Sequence, residues 1–271
     1  MQRVAARGLV AVHRDGDRTR LAELYQEGAA QIRLPAGTGE MAEAILINTA
    51  GGMTGGDRLS WAARAGAGAG LSLTTQACEK VYRSAGGAAR VDVRLEAGPG
   101  ARLAWLPQET ILFDRAALER RLSVDVAADA TCLLVEAVIL GRAAMGETVR
   151  ACSFRDSWRV RVAGRLVHAE ELRLAGDAAS LFARAAVGGG AAAMASLLLV
   201  GADAPQRLDA VRDVLSRIPA ARAGASAWRV GGTGKLLARL LAADGYHLRG
   251  ALKPLIELLN GEAGLPRIWS L

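Results

Sequence analysis

The chain has 271 residues, of which 51% are hydrophobic and only 4% aromatic. This length can bury a full core as one large or two small domains, whereas the dispersed aromatic residues argue against a carbohydrate- or nucleic-acid-binding module, which needs a stacking platform. The formal net charge is +7, but the arginines stand singly between apolar residues, as in residues 158–162, so we expect no nucleic-acid partner.

The three cysteines, Cys78, Cys132 and Cys152, have no close spacing and an odd count, which favours a reducing compartment over a disulfide framework. The first residues carry no apolar signal-peptide core, so we expect a cytoplasmic protein. Residues 185–202 carry no charge and reach the lower length limit of a membrane span. Their four glycines favour a loop that leads into a buried strand, and a membrane role is the alternative.

A glycine-rich segment at residues 48–57 stands out first along the chain. It contains two glycine pairs and ends at Asp57, and it lies between an apolar run at 44–47 and a second run that begins at Leu59. Glycine suits backbone with positive φ or backbone that another group approaches closely. The segment therefore predicts a turn between buried strands that gives Asp57 a fixed direction, and a plain hairpin with a surface aspartate is the alternative. The glycines of the two pairs are Gly51, Gly52, Gly55 and Gly56.

Apolar and polar residues alternate in several short runs after this segment. Examples are residues 71–75, 91–95, 122–126 and 158–162, with turn residues between them. The segment 162–165 predicts a tight hairpin turn. About nine strands can be drawn before residue 175, and strands at this spacing favour packed antiparallel sheets over βαβ units.

The last third of the chain changes to helical periodicity. Residues 205–218 place their apolar residues on one helical face, and residues 236–241 and 252–259 are shorter helix candidates. The tail, residues 265–269, is expected to pack as a strand or hook. We therefore predict one domain over 1–271, with a β-rich body over 1–200 and a helix-containing part over 201–271.

Common enzyme motifs are missing from the sequence. Residues 231–235 resemble a phosphate loop, but Arg229 occupies its first glycine position and Leu236 follows Lys235 where a hydroxyl is required. The three histidines lie far apart, and neither a nucleophile elbow nor a His or Cys metal motif is present.

Carboxylates at strand ends and within apolar runs remain as candidates. Glu109 and Asp114 flank an apolar run, and Glu136 lies within the otherwise apolar residues 133–140. A lone carboxylate in such a run must be paired, neutral or in contact with a wet cavity. Pairing with an arginine such as Arg115 or Arg142 is the structural alternative.

Three segments together resemble the UreD (UreH) family of urease accessory proteins. They are residues 48–59, 74–84 and 105–114, and shorter blocks at 140–147, 155–158, 170–173 and 266–269 agree in order and spacing. The resemblance implies a mostly β fold with stacked sheets, which agrees with the strand count. The expected fold is therefore mainly β, with stacked, mostly antiparallel sheets in a β-helix-like layered body and a few C-terminal α-helices.

The resemblance also implies a function. Members of this family are scaffold chaperones rather than enzymes, and they bind apo-urease and the helical accessory protein UreF, which recruits the GTPase UreG. Nickel is thought to pass through a water-filled path inside them, so we expect nickel in transit and no tightly bound cofactor. A metallochaperone that holds nickel tightly is the competing hypothesis.

A nickel path should use carboxylates, hydroxyls and carbonyls, because thiolate and imidazole ligands bind nickel tightly and release it slowly. Asp57, Glu109, Asp114 and Glu136 are therefore the predicted path residues, with Thr54, Ser84 and Glu171 as further candidates. Cys78 and Glu79 are expected to be structural or at a partner surface. The same expectation covers the four glycines Gly51, Gly52, Gly55 and Gly56 together with Thr75, Lys80, Tyr82 and Arg83.

Overall fold

The computed structural model describes residues 3–35, 41–142 and 145–270. Its strands are β1 (Ala5–Asp15), β2 (Arg18–Glu27), β3 (Ala30–Arg33), β4 (Met41–Asn48), β5 (Arg58–Ala65), β6 (Gly70–Thr75), β7 (Glu79–Val81), β8 (Ala89–Ala97), β9 (Arg102–Leu106), β10 (Thr110–Leu112), β11 (Ala117–Val126), β12 (Thr131–Leu140), β13 (Cys152–Val162), β14 (Arg165–Gly176), β15 (Ala193–Val200), β16 (Ala221–Val230) and β17 (Thr233–Ala242). Its α-helices are α1 (Ala178–Ala183), α2 (Leu208–Ser216) and α3 (Gly245–Asn260), and short 3₁₀ segments cover Ala204–Arg207, Gly261–Ala263 and Arg267–Ser270.

The strands form two stacked sheets within the described residues. Sheet A has seven strands in the order β14-β13-β11-β8-β5-β1-β2. Sheet B has ten, with the main order β16-β17-β15-β12-β9-β6-β4-β3, and β10 and β7 extend it beside β12. The mainly β, stacked architecture expected from the sequence is therefore confirmed.

The sheets are mixed, although mostly antiparallel sheets were expected. The central neighbours β1-β5-β8-β11-β13 of sheet A and β4-β6-β9-β12 of sheet B are parallel, and antiparallel pairs lie toward the edges. The chain alternates between the sheets in this region, since β4, β6, β9 and β12 belong to sheet B and β5, β8 and β11 to sheet A, while the short strands β7 and β10 also join sheet B. A short turn thus leads the chain into the opposite sheet and does not form a hairpin within one sheet. Successive strands within a sheet consequently run in the same direction.

The main core fills the space between the two sheets. Trp61 and Leu95 from sheet A and Leu103 and Leu134 from sheet B are buried there. A second core lies on the outer side of sheet B, where Leu252 and Ile256 of α3 pack over the sheet and are fully buried. Sheet B is consequently covered on both faces.

Local predictions were confirmed at several places. The hairpin at 162–165 has positive φ at both central residues, Ala163 at 47° and Gly164 at 78°, as a two-residue β-turn of this kind requires. The helix expected over 205–218 is present as a 3₁₀ segment followed by α2. The candidate at 252–259 is part of α3, which begins earlier because Asp244 accepts a hydrogen bond from His247 N at 2.9 Å.

One helix prediction was wrong. Residues 236–241 belong to strand β17, whose Leu236 and Leu240 face the helices while Leu237 and Leu241 pack against the inter-sheet core. The run is apolar except for Arg239, and periodicity cannot distinguish such a short apolar run in a strand from a buried helix. The tail forms the expected hook, since Trp269 in the last 3₁₀ segment is fully buried and donates to Leu106 O at 3.0 Å.

The uncharged stretch 185–202 consists of a glycine-rich turn followed by β15. Across the part of the chain that the structure describes, none of the helices has the length and apolar character needed to cross a membrane.

Candidate functional site

The carboxylate of Asp57 closes the glycine-rich turn. Its Oδ1 accepts a hydrogen bond from Val4 N at 2.9 Å, and its Oδ2 accepts one from Thr54 N at 2.8 Å. Asp57 is buried, so both carboxylate oxygens are used by backbone donors next to the turn. The fixed direction expected for Asp57 therefore has a local structural cause.

The glycine turn packs directly on β7 and the segment that follows it. Met53 N donates to Lys80 O at 2.7 Å, and Thr54 Oγ1 donates to Arg83 O at 2.9 Å. A Cβ on Gly52 would lie 2.7 Å from the carbonyl oxygen of Lys80 and would also strike the ring of Tyr82. The glycines thus permit close approach of two chain segments, and positive φ is found at Gly51, Gly52 and Gly56.

The third segment that resembles the UreD family, residues 105–114, is joined to the second, residues 74–84, through Thr75. Thr75 Oγ1 accepts a hydrogen bond from Gln108 N at 2.9 Å.

The residue after Gln108, Glu109, is buried and forms an ion pair with Arg249 of α3, with Nε to Oε1 at 3.0 Å and Nη2 to Oε2 at 2.5 Å. Cys78 Sγ lies 3.3 Å from Glu109 Oε2, and burial together with the nearby charge of Glu109 raises the pKa of the thiol to about 12. Glu109 therefore fastens α3 to sheet B, and Cys78 is a protonated thiol beside it.

Glu79 lies in a cavity of about 330 Å³ beside the glycine turn. The half-buried carboxylate accepts from Asn48 Nδ2 at 3.1 and 3.2 Å. No salt bridge to Glu79 is formed within the described residues. Burial accordingly raises its pKa to about 7.

Asp114 holds the loop that precedes β13. Its Oδ1 accepts from Arg150 N at 2.8 Å and from Ala151 N at 3.0 Å. Arg115, the predicted arginine partner of Glu136, instead lies beside Asp114, with Nε to Oδ2 at 3.7 Å. Arg142 pairs with Glu147 at 2.8 Å, so neither arginine proposed for Glu136 reaches it.

Glu136 points from sheet B into the space between the sheets and is buried there. Its partners are Arg120 of sheet A, which forms an ion pair with it, and Trp105, whose Nε1 donates at 2.9 Å. Burial raises the pKa of Glu136 to about 7, and the charge of Asp156 adds to this rise against the opposing effect of Arg120. The predicted structural alternative, an arginine pair, is therefore present, with Arg120 as the arginine.

Glu170 is a largely enclosed carboxylate that the sequence reasoning missed, with a side chain that is 9% exposed. It accepts from Ser196 Oγ at 2.9 Å and pairs with Arg239 Nη2 at 3.1 Å, and His168 Nε2 lies 3.5 Å away. Burial opposes its ionisation, yet the neighbouring His168 and Arg239 side chains hold its pKa below the ordinary value. Ser196 is the register neighbour of Glu136 on β12, so the serine that binds Glu170 lies beside Glu136 in the sheet.

Glu171, which was predicted, lies on the other face of the same strand. It is exposed and accepts from Ser157 Oγ and from Arg159 Nη2, the latter at 2.7 Å. These donors, followed by Arg155, lower its pKa to about 2. Adjacent residues of a strand point to opposite faces, and Glu170 shares the phase of the apolar Leu172 and Leu174, which is the signal that could have identified it.

A set of neighbouring polar side chains thus runs between the sheets, and we call it the inter-sheet polar row. Its outer end is at Arg239, whose side chain is 62% exposed, and at Glu170, which is 9% exposed. Its inner end is at Arg120, which also donates to Thr110 Oγ1 at 3.1 Å. The row consists of Arg239, Glu170, Ser196, Glu136, Arg120, Asp156 and Thr110.

The five predicted carboxylates are spread over separate places. Only Glu136 belongs to the inter-sheet polar row, while Asp57, Glu109 and Asp114 each have their own partners and Glu171 is on the outer surface. Among the described residues, no group of three or more His, Cys, Asp or Glu side chains is arranged to hold a metal ion.

Comparison with known proteins identifies the family. A model of the UreD urease accessory protein family matches residues 5–270. The chain is 55% identical to the urease accessory protein UreD of Mesorhizobium japonicum over 94% of this chain and 89% of that protein. It is 54% identical to UreD of Rhizobium etli over 100% of this chain and 96% of that protein, and 51% identical to UreD 1 of Brucella melitensis over 100% and 95%.

The chain belongs to the UreD family of urease accessory proteins. The family resemblance inferred from the sequence is therefore confirmed. In this family member, the three signature segments meet around the glycine turn and Thr75, and the third also carries Glu109, the anchor of α3.

Proposed function

We propose that this UreD-family chain is a non-enzymatic scaffold for the maturation of urease. In this proposal it works in the cytoplasm, binds apo-urease and UreF, and recruits UreG through UreF. Nickel is the cargo, passes along the inter-sheet polar row, and is held by no tight cofactor site. The family membership supports the accessory role, and the row of polar groups inside a mainly apolar core supports the path.

The buried charged groups of the row are expected to lower the stability of the fold, which favours a functional role for them. Burying carboxylates is unfavourable unless they are paired, and a well-packed apolar replacement of a buried ion pair is often equally stable or more stable. Glu136, Asp156 and Glu170 nevertheless lie between the sheets. Their carboxylate oxygens, with the Ser196 and Thr110 hydroxyls, are the weak oxygen ligands that suit an ion in transit.

Arg239 controls the outer end of the row in this proposal. Its guanidinium occupies Glu170 Oε2, so a cation can bind that oxygen only by displacing the arginine. Because the Arg239 side chain is 62% exposed, it can move into solvent without opening the core. Of the five carboxylates predicted from the sequence, only Glu136 remains in the proposed path. Glu170 takes the place of its neighbour Glu171.

Two adjacent glutamates provide a matched test. Glu170→Gln and Glu171→Gln change neighbouring residues of β14 identically, but only Glu170 faces the row. Urease activity would be measured in cells that are supplied with nickel and the other accessory proteins, and capture of urease and UreF by each variant would be checked by pull-down. We expect Glu170→Gln to lose most activation with complexes intact and Glu171→Gln to retain it.

Two results would count against the proposal, each at a different point. Equal activation of urease by both variants would contradict a nickel path along this row. Failure of the unaltered chain to capture urease or UreF would contradict the proposed scaffold function itself.

A further inference from the structure

Strand β2 is an exposed edge of sheet A. Its residues are exposed along almost the whole strand, which pairs on one side with β1. In the described part of the chain no strand pairs with its other side, because β2 ends the strand order. Such an edge can serve as a template for another strand.

Apolar side chains are concentrated on this edge. Leu21 is 44% exposed, Leu24 is 39% exposed and Tyr25 is 47% exposed. A β-bulge at Ala22 interrupts the pairing with β1, so that Leu21 lies opposite Val12 and Leu24 opposite Val10 on the same face of the sheet. Edge strands that remain unpaired are usually protected by lysines or inward-pointing charges, whereas β2 contains no lysine and exposes two leucines together.

The charges of β2 are arranged with opposite signs at its two ends. Arg18 and Arg20 occupy the first part of the strand, and Glu23 and Glu27 the second. In an antiparallel pair of two identical β2 strands with full overlap, Arg18 of each copy lies opposite Glu27 of the other. The same register places Leu21 opposite Leu24, and a parallel pair would instead place Arg18 opposite Arg18. Opposite charges and apolar pairs directly across an antiparallel ladder are favourable, and like charges are unfavourable.

Both charged ends are available for such pairing. Among the described residues, the salt bridge of Arg18 is to Asp17, at 4.0 Å with both side chains well exposed, and Glu27 accepts from the Tyr25 hydroxyl at 3.0 Å. Arg20 and Glu23 are used within the chain, by Asp15 at 2.6 Å and Arg64 at 3.8 Å. Within the described part of the chain, Arg18 and Glu27, the outermost pair of the register, therefore form no salt bridge shorter than 4.0 Å.

We propose that β2 is a homodimer interface, in which two copies of this chain pair their β2 strands antiparallel around a two-fold axis. Sheet A of one copy then continues into sheet A of the other. The interface is isologous, because each copy contributes Arg18 to one ion pair and Glu27 to the second. This inference is independent of the nickel path.

Analytical ultracentrifugation of the full chain tests the interface. We expect a species of twice the 28.2 kDa monomer mass. Arg18→Glu and Glu27→Arg, each alone, place like charges opposite one another at two positions and are expected to weaken the dimer by about tenfold or more. The combined variant restores opposite charges with exchanged sign and is expected to recover the dimer. Arg94→Glu, an exposed residue in the middle of sheet A, is the control and should leave the dimer intact.

A monomer at all concentrations would overturn the proposal. A dimer that neither single reversal weakens would also overturn it, because β2 would then lie outside the contact. Failure of the combined variant to recover the dimer, while it remains folded by circular dichroism, would exclude the proposed register.

Discussion

Arg120 and Asp156 lie directly opposite each other on β11 and β13 and form a doubly hydrogen-bonded ion pair, with Nε to Oδ1 at 3.0 Å and Nη2 to Oδ2 at 2.7 Å. The remaining nitrogen of Arg120 reaches Glu136 on the other sheet. One guanidinium therefore connects the two sheets at the inner end of the polar row. Two carboxylates share this single cation, which leaves the cluster with an excess of negative charge when both are ionised.

Replacing Arg120 should be strongly destabilising. Arg120→Met leaves Glu136 and Asp156 buried without their cation, and removing one partner from a buried ion pair costs about 3–5 kcal/mol. Arg121→Met is the matched control, because Arg121 is the next residue on the strand and is exposed, and its effect should stay within about 0.5 kcal/mol. Urea denaturation of both variants measures the difference, and equal stability of the two would contradict the geometry of the cluster.

Glu79 should make stability depend on pH in an unusual direction. Burial raises its pKa to about 7, so between the ordinary value and 7 the folded protein binds more protons at this site than the unfolded chain. Ionisation of Glu79 therefore lowers the free energy of unfolding as pH rises through this range. Glu79→Gln keeps an acceptor for Asn48 but cannot ionise, and at pH 8 it should be more stable than the unaltered chain by about 1–2 kcal/mol.

Thermal unfolding at pH 5 and pH 8 checks this prediction. The stability difference between Glu79→Gln and the unaltered chain should be small at the lower pH and should grow at the higher one. A variant that is less stable than the unaltered chain at pH 8 would show that the ionised carboxylate is favoured in the folded protein.

Alanine substitution should change stability differently at Gly55, within the glycine turn, and at Gly86, in the segment packed against it. A Cβ on Gly55 would lie 2.5 Å from the carbonyl oxygens of Gly86 and Gly87 and would strike Ser84 Oγ. Overpacking of this kind typically costs about 1–3 kcal/mol. A Cβ on Gly86 meets no atom within 4 Å, so Gly86→Ala should be nearly neutral. Chemical denaturation distinguishes the two, and tolerance of Gly55→Ala would show that the two segments are not packed as described.

The sequence was sufficient for the features that depend on local pattern. Alternation identified strands such as residues 91–95 and 158–162, and glycine spacing identified the turn that Asp57 closes. The direction of neighbouring strands was not accessible, because the same short turn serves a hairpin or a passage to the opposite sheet.

The polar row shows where a local pattern was informative but was not used. Arg120 and Asp156 occupy strand positions whose neighbours two residues away, such as Leu118, Leu122 and Trp158, are apolar and buried. A charged residue at such a position points into the core. The partners of these residues could not be predicted, since Glu136 and Arg120 meet only when the two sheets stack.

The proposed passage of nickel between the sheets is tested most directly by obstructing the row with an apolar side chain. Ser196 lies between Glu136 and Arg239 in strand register, so Ser196→Leu replaces a hydroxyl of the row with a larger apolar group. Ser226→Leu makes the same change at an exposed position of sheet B. Urease would be purified from cells that express each variant, its nickel content measured by elemental analysis, and capture of urease by the variant checked in parallel. The account predicts nickel-poor urease with Ser196→Leu and normal nickel with Ser226→Leu while both variants still bind urease, and fully loaded urease with Ser196→Leu would contradict it.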